Sequence, residues 1–273
     1  MKIYQHPQFS IFFGDKTNAF AKEQFYNLAD SRSFLQQPQF EFLKNSDSSN
    51  IIFANQVHKT DGLIITSHEQ AQAYKPYSAQ ADFIITNVPG VAIGVATADC
   101  LPIIFYDPHN NVIAVAHAGW QGTVGGIAPI TVQAMINNFG CEPQDILTFF
   151  GPCASVENYE VSADFGQSAS LLDTSGCAVH SKWADPSISS DFEQKREIVS
   201  RYETQQALNQ TITQKNNKYY FNMPLYNQKL LQAVGVTNFN YDFNSCTIAH
   251  QNFCSYRREK EKALRQMTIA MLK

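Results

Sequence analysis

Two residues of the types that ligate soft divalent metals stand at the open end of one hairpin in this sequence, Cys100 and His117. The arms are Leu101–Tyr106 and Val112–Ala116, joined by Asp107-Pro108-His109-Asn110-Asn111. Pro108 presets a turn backbone angle, and Asp and Asn favour the flanks of such a turn. With the turn centred between His109 and Asn110, positions whose numbers add to about 219 face one another across the ladder. Cys100 and His117 add to 217, inside the register uncertainty of a loop of this length, so their side chains emerge close together. Thiolate sulfur and imidazole nitrogen both suit zinc. Three such ligands with one open position form the catalytic arrangement, in which the metal acidifies bound water.

The third ligand does not follow from spacing. His58 closes the run Ile51-Ile52-Phe53-Ala54-Asn55-Gln56-Val57, before the turn Lys59-Thr60-Asp61-Gly62. A histidine at a strand end can point into a cleft mouth. A lone histidine there is more often a hydrogen-bonded structural residue, and a lone cysteine in an apolar run is more often packing. The residues alone therefore leave several readings open. Cys100 with His58 or His117 also reads as a thiolate–imidazole pair for hydrolysis of an amide bond. Two histidines and a cysteine also suit a blue-copper centre. A multicopper oxidase needs a histidine-rich cluster besides, and this chain has seven histidines and no His-x-His. A fourth donor, Cys153 or Cys246, would make a closed, structural zinc site. Asp99, beside Cys100, is a candidate acid/base or a group that orients the ligands. After His117, the small residues of Ala118-Gly119-Trp120-Gln121-Gly122 let backbone approach a ligand closely before a helix begins.

The elements that must position these residues read mainly as strands. Ile51–Val57, Leu63–Thr66, Phe83–Thr86, Val91–Ala96, Pro102–Tyr106 and Val112–Ala116 are short apolar or β-branched runs punctuated by turn residues. Strand signals return at Leu147–Phe150, Lys218–Phe221, Thr237–Tyr241 and Met267–Met271. Several runs are apolar at consecutive positions, which predicts strands covered on both faces. Helices are expected over Ile127–Asn138, within Asp191–Leu208, and over Met223–Val234, where Pro224 fits a first turn. Polar stretches at 29–50 and 185–217 read as surface excursions. The spacings are often too short for crossover helices, so the expected fold is one α/β (α+β) domain over 1–273, with mixed or antiparallel sheets flanked by helices.

Bulk properties narrow the function. The 273 residues are 44% hydrophobic and 16% charged, an ordinary globular balance. A net charge of −4 supplies no global basic field for nucleic acid or anionic lipid. The dense basic cluster Arg257, Arg258, Lys260, Lys262 and Arg265 is interrupted by Glu259 and Glu261. It reads equally as a solvated charged segment or as a local anion site at Arg257 or Arg258. Six scattered cysteines without a Cys-x-x-Cys pair argue against a disulfide framework. No apolar run is long enough for a membrane span, so a cytoplasmic protein with no membrane or nucleic-acid partner is expected.

Several segments taken in order resemble the bacterial laccase-domain or "polyphenol oxidase" family, regarded as zinc-dependent purine nucleoside phosphorylases with adenosine deaminase activity. The carriers are Asn55-Gln56-Val57-His58, Ala81-Asp82 with Thr86, Thr97-Ala98-Asp99-Cys100-Leu101-Pro102 and His117-Ala118-Gly119-Trp120. Gly151-Pro152, Tyr159-Glu160-Val161, Ser245-Cys246-Thr247 and Phe253-Cys254-Ser255-Tyr256-Arg257-Arg258 continue the match. The resemblance implies a single domain of layered mixed β-sheets flanked by helices. It also implies His58, Cys100 and His117 as metal ligands, and they are the expected catalytic groups. For such a reaction Asp99 is the candidate acid/base, and Lys16, Gln56 and Arg257 are the candidates at the substrate. Zinc is the implied cofactor, with copper the lesser alternative. Nucleoside and phosphate are the implied small-molecule partners of a monomer or weak homodimer. Some members of this resemblance group are linked to peptidoglycan editing, which fits the amidohydrolase alternative. The chain departs from the pattern at Gln121, where the family has arginine, at Lys16, which keeps the charge but not the fork of the usual arginine, and at Asn158, in place of a cysteine. Residues 29–50 also lack the family's charge pattern. The metal set is intact while the substrate shell is altered.

Overall fold

The computed structural model describes residues 2–20, 51–163, 165 and 204–273. Its elements run β1 Lys2–Gln5, β2 Phe9–Phe13, β3 Ile51–Phe53, β4 Gly62–Ile65, α1 His68–Ala73, β5 Phe83–Thr86, β6 Ala92–Thr97, β7 Leu101–Asp107 and β8 Val112–Ala118. Then come α2 Trp120–Val124, α3 Ile127–Phe139, β9 Leu147–Phe150, β10 Glu160–Val161, α4 Thr204–Thr211, β11 Ile212–Lys215 and β12 Lys218–Phe221. The chain closes with α5 Met223–Ala233, β13 Asn238–Asn240, α6 Tyr256–Glu259 and β14 Gln266–Leu272.

A six-stranded sheet in the order β13-β9-β7-β8-β5-β4 forms the middle layer. It is mixed, with parallel pairs at β13–β9 and β4–β5 and antiparallel pairs elsewhere. The consecutive apolar runs are explained by what covers each face. Ile103, Phe105, Ala114 and Ala116 point to a core shared with α3 and α5. Ile104, Tyr106, Ile113 and Val115 point the other way, to a core shared with Phe9, Ile11, Ile93 and Val95. Those last four belong to a five-stranded sheet ordered β1-β2-β14-β6-β3. A strand with two covered faces has no solvent side to demand polar alternation. Each fully buried Ile or Phe contributes about 1.5–3 kcal/mol of transfer free energy. A small antiparallel sheet, β10-β12-β11, completes the architecture. The fold is thus mixed α/β with layered sheets.

Most expected elements fall within a residue or two of the observed ones. The run from Ile51 is the exception, since β3 stops at Phe53. Beyond it Asn55 makes only a single bridge to Gln80, and His58 turns to φ 61°. The strands β1 and β2 lie in a stretch for which no strand is expected from the sequence. Of the helix expected within Asp191–Leu208, residues 191–203 lie outside the described residues, and α4 begins at Thr204. No helix among the described residues is long and apolar enough to cross a membrane.

Candidate metal centre

The hairpin β7–β8 pairs Leu101 with Ala118 and Pro102 with His117. This register puts Cys100 one step outside the ladder, facing Gly119, with His117 on the diagonal. The ligand atoms of His58, Cys100 and His117 all lie within 4.8 Å of one another. His58 Nε2 is 3.8 Å from Cys100 Sγ, against about 3.6 Å for a sulfur and a nitrogen on one tetrahedral zinc with ordinary bond lengths. The two imidazole rings meet edge to face with centroids 4.7 Å apart. Neither Cys153 nor Cys246 belongs to this group, so three donors and an open side define the cluster among the described residues.

Asp82 organises two of the three ligands. Its carboxylate accepts from His117 Nδ1 at 2.8 Å, which fixes the tautomer and leaves Nε2 to face the cluster. The same carboxylate accepts from three successive backbone N–H groups, Val57, His58 and Lys59, at 3.2, 3.0 and 2.7 Å. Wrapping three amides around one carboxylate curls the chain and puts His58 in the left-handed region. The carbonyl of Asp82 also accepts from the His117 N–H. Asp82 is 1% exposed, and no spacing rule marks it in the sequence beyond its place in the Ala81-Asp82 motif.

Gly119 is required by contact. A Cβ there would lie 2.7 Å from His58 Cδ2 and 3.3 Å from Cys100 Sγ. Gly119 also caps α2, so the helix begins as close to the cluster as backbone can come.

The electrostatics fit a thiolate–imidazole site. Burial pushes the Cys100 thiol up, but the charge and hydrogen bond of His117, with those of His58, outweigh it and bring the thiol down to about 6. Burial pulls His117 down, and the facing Cys100 with Asp82 more than reverse it, so the imidazole is raised to about 10.

A cavity of about 490 Å³ opens against the cluster, within the usual range for small-molecule sites. His58 and Cys100 form part of its wall, together with Asp99, Trp120, Gln121, Tyr159, Tyr256, Arg257 and Lys260. His117, 2% exposed, stands behind that wall. Arg257 lies over the Tyr159 ring, 5.2 Å from its centroid. Arg258, by contrast, is spent on structure, donating to the carbonyls of Thr247, Ile248 and Phe253. The structure therefore separates two arginines that the sequence leaves equivalent.

Asp99 lies in the cavity wall, yet its carboxylate is fully engaged. Thr247 Oγ1 donates at 2.6 Å, Ser255 Oγ at 3.1 Å and the Arg257 N–H at 2.6 Å. Gln56 and Lys16 lie outside the cavity lining. The Gln56 amide donates to the Ala96 carbonyl and accepts from the Ala96 N–H, which ties the loop before His58 to β6. Lys16 pairs with Glu259 at 2.5 Å, and Glu259 also takes Arg258 at 2.9 Å. The aromatic wall and Lys260 were not singled out by sequence reasoning. Trp120 and Tyr159 stand in motifs that gave no role, and Lys260 stands in a charge cluster.

Comparison with known proteins places this geometry in a family. A purine nucleoside phosphorylase of Deinococcus radiodurans is 42% identical over 110 residues, 40% of this chain and 40% of that protein. A purine nucleoside phosphorylase of Haemophilus influenzae is 28% identical over 207 residues, 74% of this chain and 71% of that one. The alignment to the human purine nucleoside phosphorylase LACC1, 36% identical, spans 42% of this chain and 26% of that protein. The chain thus spans less than half the length of the curated relatives in D. radiodurans and human that it matches. Among solved structures, YfiH of Bacillus licheniformis superposes with a TM-score of 0.66 at 23% identity, over 97% of this chain and 93% of that one. YlmD of Geobacillus stearothermophilus gives 0.60 at 24% identity, over 82% and 73%. These two likenesses establish the fold. The family model described as "Multi-copper polyphenol oxidoreductase laccase" matches residues 26–184 and 173–273. The chain belongs to that laccase-like family.

Proposed function

We propose that this protein is a zinc-dependent phosphorylase of purine nucleosides. The observation that carries the reading is an open His58–Cys100–His117 donor set, two of whose members line a cavity that also presents aromatic rings and cations. The names of its relatives point the same way. One thiolate and two imidazoles suit zinc. The described residues hold only this one cluster of three donors, which does not make the histidine-rich centre of a multicopper oxidase. When bound, zinc supplies Lewis acidity, stabilising charge that develops on the reacting groups.

The protein's own residues do the rest. Trp120 and Tyr159 offer faces on which a flat purine stacks. Arg257, backed by the Tyr159 ring, offers a planar fork to phosphate. Asp99 holds the backbone of Arg257 in place, which makes it a positioning residue with both oxygens occupied. Gln56 and Lys16 act in the same indirect way, on the His58 loop and on α6. In phosphorolysis a phosphate oxygen bonds to the anomeric carbon as the bond from that carbon to the purine nitrogen breaks. The hydrogen of monohydrogen phosphate passes to the purine, and the products are free base and sugar 1-phosphate. Hydrolytic loss of ammonia from adenosine at the same site is the second half of the proposal.

The test supplies zinc-loaded protein with inosine or adenosine and phosphate, and measures free base and ammonia. Both should appear, and both should vanish on chelation and in Cys100→Ala. Absence of both products from the zinc-loaded wild type would sink the reading. Turnover that survives chelation would point to a cysteine hydrolase instead.

A further inference from the structure

Among the described residues, backbone strain gathers around the cavity. Their non-glycine residues with positive φ are His58, Tyr77, Asp99, Asn111, Asn216, Asn217 and Lys260. Asparagine adopts this conformation readily, so the three asparagines need no further cause. Of the remaining four, His58, Asp99 and Lys260 line the same cavity. Side chains held in this region cluster at functional sites, where surrounding contacts enforce them. For His58 the enforcing contact is the Asp82 carboxylate on three successive amides. For Asp99 it is the set of three donors on its carboxylate.

The backbone of Lys260 is held only as a helix cap, its N–H on the Tyr256 carbonyl and its carbonyl on the Ala263 N–H, and no side-chain contact enforces its conformation. Its φ is 54° and its ψ −133°, a conformation that glycine adopts without strain. Its ammonium makes no ion pair or hydrogen bond with the described residues. The carboxylates near it in sequence are engaged, Glu259 by Lys16 and Arg258, and Glu261 by the Tyr256 hydroxyl. A long cationic side chain is thus kept where glycine would fit better, beside Arg257 and neutral Gln121.

We infer that Lys260 and Arg257 together form the anion subsite of the cavity, with inorganic phosphate as its occupant. The choice of phosphate rests on the phosphorylase reading; the anion subsite rests on the geometry. Arginine contributes a fork of fixed shape and lysine a mobile point charge, so the pair neutralises a dianion while leaving one of its oxygens to react.

The test compares wild type, Lys260→Gly and Lys260→Arg, each zinc-loaded. It uses phosphate-dependent turnover of inosine, calorimetric binding of inorganic phosphate, and thermal unfolding. In Lys260→Gly the KM and Kd for phosphate should rise about tenfold or more, the loss of one charge-assisted hydrogen bond. The KM for inosine should stay within about twofold, and Tm should not fall, since glycine relieves the backbone. Lys260→Arg should recover most of the phosphate affinity. Phosphate constants unchanged in Lys260→Gly would overturn the inference, as would a fall in Tm that accounts for the loss. Should wild type release no base from inosine, the phosphorylase reading falls by itself. Calorimetry then decides the subsite: phosphate binding by wild type that Lys260→Gly loses upholds it, and no binding by wild type overturns it.

Discussion

Asp82 is the residue on which the metal centre turns, because one carboxylate aims His117 and shapes the loop of His58. Asp82→Asn keeps the volume but replaces one acceptor oxygen by a donor facing N–H groups. Metal affinity should fall by about 10–100-fold, read by competition with a chromophoric chelator; an affinity within about twofold of wild type would remove Asp82 from this role. Cys100 gives a second prediction. Its thiol sits near 6 against an ordinary 9.0, so after chelation the thiolate persists at neutral pH and is lost as pH falls through about 6. The iodoacetamide alkylation rate of metal-stripped protein should follow that midpoint. In His117→Ala the midpoint should move upward, because burial then acts with less opposition. At this scale the sequence discloses Cys100 and His117, since a proline-containing turn fixes their hairpin. It does not disclose Asp82, which acts through backbone amides remote in the chain and follows no side-chain spacing.

Among elements, the hairpin register and the start of α2 set the fit of the cluster. Gly119→Ala places a methyl group 2.7 Å from the His58 ring, at the N-terminus of a short helix. His58 should be displaced and zinc stoichiometry reduced, while far-UV circular dichroism stays native. Full zinc occupancy in this variant would show that the loop of His58 gives way freely. The strands of the middle sheet are legible because their two covered faces impose continuous apolar runs. The end of β3 is not legible, since nothing in Ala54-Asn55-Gln56-Val57 announces that a distant carboxylate will curl the chain. The side chain of Gln56 pairs with both backbone groups of Ala96 where a longer strand would have paired.

For the molecule as a whole, the cavity draws on His58, Asp99 and Cys100, Trp120 and Gln121, Tyr159, Met223, and Arg257 with Lys260. Spacing cannot reveal a site assembled from segments so far apart, and only the ordered series of motifs does so. A metal that binds this assembled state alone should stabilise the whole fold. Zinc at about a hundred times its Kd should raise Tm by roughly 5–10 °C in wild type and leave Cys100→Ala unmoved. An equal rise in both proteins would place the stabilising metal elsewhere.

The position of β14 carries a consequence for how the protein is made. This strand follows every other described strand, yet it lies between β2 and β6 at the centre of the five-stranded sheet. Its first residue, Gln266, also accepts the Cys254 N–H, anchoring the segment that leads into α6 and Arg257. A nascent chain that has not yet delivered residues 266–272 beyond the ribosome holds two facing strands without their common neighbour. Both edges are then open to wrong partners. The wall of the cavity that carries Arg257 and Lys260 therefore cannot mature before β14 is made, and the growing chain stays incomplete at its site until synthesis has passed that strand.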